Sequence, residues 1–274
     1  MTRHGAAFAA MLGCTLLGHR RNRLAVVLAG AFIPVWIAVT HVCASARTVR
    51  FPLDAAVSQA AAQANHVGQV TNALGAVTMV SGFMMFMETF KAGEMDRRLV
   101  LAGYPRVPLL LAKVAALVVV AVLLALYTTA LLVVSTPVRQ PAPLALAALG
   151  AGLAYGGIGL LLGTVVRGEL EGFFLVIMLG LLDTGLQNPS LNVVDVAGRG
   201  ALPLYGANQS ALAGAFTSAG PWDHALLPLV WSAAAGALAL AVFHVRTRSY
   251  GTAVAAAPPA PPETAAPVLP PVSG

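Results

Sequence analysis

KAGEMDRRLVLAGYPRVPLLLAK, residues Lys91–Lys113, places a densely charged, helix-like stretch between two apolar runs and breaks it at Gly103-Tyr104-Pro105. The stretch is too charged to lie in lipid, and its charges are mixed in sign rather than purely basic. In a chain otherwise built of membrane helix, it reads as a cytoplasmic docking piece that takes force from a partner protein.

Working outward, the composition sets the class. Of 274 residues, 58% are hydrophobic and 9% charged, against about 25% charged in soluble domains. A spanning helix needs about 20 apolar residues, and six candidates are present: Leu24–Cys43, Val67–Phe90, Leu109–Val134, Leu144–Val166, Phe173–Gln187 and Ala225–Val245. The expected fold is therefore an all-α polytopic membrane protein with six transmembrane helices. The fifth span is short and interrupted by Asp183. In the fourth, Gly152, Gly156, Gly159 and Gly163 stack small residues on one face, which lets a neighbouring helix approach closely. That neighbour is either within the same subunit or across a dimer seam.

Basic residues orient the chain. Arg3, Arg20, Arg21, Arg23, Lys91, Arg97, Arg98, Arg106, Lys113, Arg167, Arg246 and Arg248 fall on one side of the six spans. Only Arg47, Arg50, Arg139 and Arg199 fall on the other. The richer side faces the cytoplasm, so both termini are expected inside the plasma membrane. The formal net charge of +6 follows from this bias, and no nucleic-acid partner is expected. Cys14 and Cys43 flank the first span, too far apart for a disulfide.

Residues 1–23 carry Phe8, Met11, Leu12 and Leu16 at helical spacing, with Thr15 and His19 among the polar positions and His19–Arg23 at the end. This predicts an amphipathic helix in the inner interface, in contact with membrane lipid; the alternative is a disordered arm. Ala44-Ser45-Ala46 resembles a signal-peptidase site, but the apolar run before it is longer than the usual 7–15 residues. Residues 24–248 form the six-span unit. Residues 249–274, rich in Ala and Pro, are expected to be a disordered cytoplasmic tail. On the outer side, Ala44–His66 is expected to form a short surface helix, and Asn188–Asp223 a connection whose run Ala211–Phe216 dips into the leaflet.

The chemistry is sparse. The only lysines, Lys91 and Lys113, precede Ala92 and Val114, so no phosphate-binding loop is possible. Histidines are scattered without metal-ligand spacing, and no nucleophile elbow or C-x-x-C is present. No catalytic residue, metal or cofactor of its own is assigned to the chain. Two acids lie in apolar runs. Glu88, near the inner end of its span, can reach water or Lys91. Asp183 must face protein or a water-filled cavity. It is either a pathway residue or the outer end of a short span, paired with Gln187 and Asn188.

An in-plane N-terminal helix, six spans and a charged helix between spans two and three together resemble the type-2 ATP-binding-cassette exporter permeases of the daunorubicin-exporter kind. Glu94–Arg106 resembles their cytoplasmic coupling region: an acidic start, a basic pair, an apolar turn and a small-residue-proline break. The Asn188–Asp223 connection takes the place of the family's re-entrant outer helices. The resemblance implies a separate ATPase subunit, which holds ATP and magnesium and docks on Glu94, Met95, Asp96, Arg97, Arg98, Leu99, Tyr104, Pro105 and Arg106. It also implies a second permease subunit, identical or different, around one export pathway. Two other classes compete. An ion-coupled secondary transporter needs midplane carboxylates, of which only Asp183 is available. A non-transporting scaffold or sensor needs only partner contacts.

Overall fold

The computed structural model describes residues 3–53, 58–191, 198–218 and 224–255. Among them the chain is mostly helical, and four helices (Ala64–Leu101, Val107–Ser135, Pro141–Val165 and Leu227–Val245) are long and apolar enough to cross a membrane. These match expected spans two, three, four and six. The first expected span is α2 (Arg23–Val27), a π-helical turn (Leu28–Phe32) and α3 (Ile33–Cys43). The fifth is α7 (Glu169–Gln187), whose three acids, Glu169, Glu171 and Asp183, dilute its apolar character.

The π turn has a local cause. Pro34 has no N–H to give the Gly30 carbonyl one turn earlier, and its ring crowds that carbonyl. The Tyr127 hydroxyl of α5 (Arg106–Ser135) donates to the freed Gly30 oxygen at 2.8 Å. A proline-strained carbonyl is thus satisfied from a neighbouring helix, as lipid would otherwise leave it bare.

At the centre is α4, Ala64–Leu101, with α3, α5, α6 (Pro141–Val165) and α7 all packed on it. From Ala64 to Thr89 nearly every side chain is buried, polar ones such as Gln69 and Thr78 included, because neighbouring helices enclose α4 on all sides. Glycines set its contacts. A Cβ at Gly159 would overlap the Gly82 carbonyl, one at Gly163 would meet Phe86 and Thr89, and Gly152 and Gly156 face Ala121 and Leu117 of α5. The glycine stripe therefore packs within the subunit. A second set, Gly75, Gly82 and Gly172, closes α4 on α7 against Thr184, Val176 and Phe86.

These contacts also fix helix directions. α6 runs parallel to α4 (Gly152 beside Val77, Gly163 beside Thr89), and α5 and α7 run against them. α9 (Leu227–Ala255) lies parallel to α6, with Pro228 on Gly150 and Ala235 on Gly157. The helices thus alternate between two ends of one bundle, here called the charged end and the hairpin end.

Several expectations are corrected. Among its described residues, Ala44–His66 does not form the expected surface helix. Thr48–Leu53 (β1) and Ser58–Gln63 (β2) pair antiparallel, Thr48 opposite Gln63 and Leu53 opposite Ser58, before α4 begins at Ala64. Phe51 and Leu53 point inward, and Phe51 meets Phe216 of α8 (Tyr205–Phe216) edge-on at 6.4 Å. The Ala/Gln composition of β2 favours helix, but pairing and burial override propensity. The charged stretch is not a separate helix between spans two and three. It is the continuation of α4, whose 38 residues extend about 57 Å, well beyond a hydrocarbon core of about 30 Å.

α1, Arg3–Arg21, is helical rather than an irregular arm. Its buried positions are Thr15 and His19, because α1 packs against α4 and α5. Its expected apolar face is only half-buried. Helix α9 continues through Ala255, into the stretch expected to be irregular, while 256–274 lie outside the described residues.

Candidate functional site

The α4 terminus is built by a glycine cap. Gly103 takes φ +87, its N–H donates to Val100 O, and the Tyr104 N–H reaches back to Leu99 O at 2.9 Å. That pair of bonds satisfies the last carbonyls of α4, and Pro105 then prevents the helix from resuming. The chain reverses, α5 starts at Arg106, and the two helices descend side by side. Tyr104 is tied down as well. Its hydroxyl donates to Ala7 O of α1 at 2.6 Å. Burial, with a smaller contribution from Cys14, holds the phenol above its ordinary value.

The charged stretch divides into two faces. Outward, Met95 is 64% exposed, Arg97 and Leu101 are exposed, and Glu94 pairs with Arg98 at 3.9 Å, a fully hydrated contact that adds little stability. Glu94, Arg97, Arg98 and Leu101 border one shallow groove. Inward, Asp96 is 2% exposed and bonded to Lys113 of α5, equally buried. Asp96 is therefore engaged inside the subunit and is not presented with its neighbours. Leu99 and Pro105 are half-buried, and the side chain of Arg106 lies outside the described residues.

The sequence marks Lys113 only as a positive charge on the inner side; the packing of α4 against α5 selects its partner. Asp96 and Lys113 are equidistant from the Tyr104–Pro105 turn, and an antiparallel helix pair brings such positions level.

Glu88 faces α1 rather than Lys91: a side chain at Gly18 would meet its carboxylate at 3.4 Å.

Toward the hairpin end, Asp183 is 1% exposed. Its Oδ2 accepts from Tyr155 Oη of α6 at 2.6 Å and from the Leu204 N–H at 2.9 Å, and its Oδ1 accepts from Gln187 Nε2 at 3.3 Å. Gln187 also donates to Arg199 O, and Asn208 Nδ2 donates to Gln187 O. One carboxylate thus ties α7 to α6 and to the turn that enters α8. Of the partners anticipated, Gln187 is present; Asn188 instead caps the turn at Ser190. Tyr155 and Leu204 were missed, because a tyrosine in an apolar helix and a backbone N–H leave no spacing signal.

A second polar group links α3, α4 and α5 nearby. Gln69 bonds His41 Nδ1 at 2.7 Å and accepts from Thr136 Oγ1 at 2.7 Å, while Asn72 donates to Thr40. Among the described residues no group of three or more His, Cys, Asp or Glu is gathered to hold a metal ion.

Compared with known proteins, the chain matches no family model and no curated protein.

Proposed function

We propose that this chain is the transmembrane permease subunit of an ATP-driven exporter, acting with a separate ATPase subunit and a second permease copy. The observation that carries the reading is the end of α4. A continuous helix leaves the apolar bundle and presents Glu94, Met95, Arg97, Arg98 and Leu101 to solvent. Mixed charge around an exposed methionine and leucine suits a protein cleft better than a lipid surface. The chain has no phosphate-binding loop, so ATP and magnesium belong to the partner. The role of α4 is mechanical: a push on its end is carried as rigid helix into the centre of the bundle, where α3, α5, α6 and α7 meet it. The sparsely charged interior favours an amphipathic, largely apolar export substrate.

Docking is tested by Arg97→Glu with Arg98→Glu. Loss of a desolvated charged contact at an interface costs about 2–5 kcal/mol, so the double variant should insert normally but lose co-purification with its ATPase and ATP-dependent transport in vesicles. Retention of both would remove this face from the coupling role.

In the same reading six helical passes cross the plasma membrane with both termini cytoplasmic, the direction set by the basic residues of the charged end. With Cys14 and Cys43 replaced by serine, Gly93→Cys should resist an impermeant thiol reagent in intact cells and Arg47→Cys should react. Labelling at position 93 from outside would invert the arrangement.

A further inference from the structure

Helix α9 delivers the rest of the chain to the charged end. It lies parallel to α6 and ends at Ala255, and on the way its Phe243 borders a cleft of about 280 Å³ between α4, α5, α6 and α9. Phe90, Leu110, Val166 and Phe243 supply apolar walls, each half-buried and so still open on one side. Glu94 and Arg97, both exposed, form its outer edge.

The sequence that follows α9 suits such a place. After Arg248 the only charged residue is Glu263, and residues 267–272 read PVLPPV. Tails held in water by composition are polar and charged, whereas this one carries Val268, Leu269 and Val272 with little to solvate them. Prolines three apart, Pro267 and Pro270, favour a polyproline helix, whose three-residue turn puts Leu269 and Val272 on one face. Lipid is a poor seat for that face, because a polyproline backbone makes no internal hydrogen bonds and hydrocarbon would leave its carbonyls bare. A cleft with aromatic walls and a wet, charged edge takes the apolar face and leaves the carbonyls hydrated.

The chain is long enough to return. Phe243 stands twelve residues before the end of α9, about 18 Å along the helix. Residues 256–266 can cover about 34 Å in polyproline form.

We propose that residues 267–272 of this same chain occupy the cleft, with Leu269 and Val272 lying against Phe243 and Leu110. Seated there, the segment stands beside Glu94 and Arg97, which border both the cleft and the exposed groove at the end of α4. It therefore guards one edge of the face assigned above to the ATPase, although the seat itself does not depend on that assignment.

The test uses the 1–274 chain in native membranes, with Cys14→Ser and Cys43→Ser. Leu269→Cys is paired in turn with Leu110→Cys in the cleft and with Leu101→Cys on the exposed end of α4. Copper–phenanthroline then oxidises each thiol pair to a disulfide, which closes only when the Cα atoms come within about 7 Å. The Leu110 pair should cross-link the faster, within one chain, although Leu110 is the less exposed position. A second measurement keeps Leu110→Cys as the only cysteine and follows its reaction with a soluble thiol reagent. Adding Leu269→Asp and Val272→Asp should raise that rate about tenfold or more, since two apolar side chains lose their burial. Faster cross-linking of the Leu101 pair would mean that the segment sweeps through solvent or along the membrane. A labelling rate unchanged by the double substitution would mean that the cleft stands open or holds lipid or a partner. Either result would overturn the proposal.

Discussion

Lys113→Met alone is expected to destabilise the chain by about 3–5 kcal/mol, the cost of leaving a buried carboxylate without its partner. Asp96 cannot relax to water, because it is enclosed between α4 and α5. Asp96→Leu combined with Lys113→Met should recover most of that loss, since an apolar pair of similar volume has no desolvation to repay. The comparison is read by unfolding in mixed micelles, where the two single variants and the double define a cycle. A double variant as unstable as either single would mean that the pair supplies net stability beyond charge compensation. A Lys113→Met variant as stable as the parent would show that water reaches Asp96.

Asp183 carries the second large effect. Asp183→Leu removes the acceptor for the Tyr155 hydroxyl, the Leu204 N–H and the Gln187 amide at once. Each buried donor left unmatched costs about 1–3 kcal/mol, so several kcal/mol should be lost, with α8 released from α7. Asp183→Asn retains one acceptor oxygen but turns an N–H group toward existing donors, and should be intermediate. Tyr155→Phe removes only one donor and should be the mildest, about 1 kcal/mol. Expression and unfolding midpoints should follow the order Leu, Asn, then Tyr155→Phe. A well-expressed Asp183→Leu variant with parental stability would exclude the fastening role and return Asp183 to the pathway reading.

Much of this architecture is written in local patterns. Apolar runs of spanning length mark α4, α5, α6 and α9, because hydropathy and length alone govern whether a helix suits lipid. The Gly103-Tyr104-Pro105 break lies where the α4 cap is found, because φ > 0 and a missing N–H are properties of single residue types. The glycine spacing in α6 likewise marks a close-packed face.

The face those glycines meet, by contrast, depends on which helix arrives there, and that is a long-range choice made by complementary shape. The same holds for the charged stretch. Its composition marks it as unfit for lipid, yet nothing local separates Asp96, which turns inward to Lys113, from Arg97 and Arg98, which turn outward. At β2, pairing with β1 outweighs a helix-favouring composition. At Asp183 the sequence requires only a polar surrounding; the donors that supply it, Tyr155 and the Leu204 N–H, come from separate elements. Local propensity and hydropathy thus place the helices and their ends, while pairwise burial, which no short window of residues encodes, assigns each charge and each small residue to its partner.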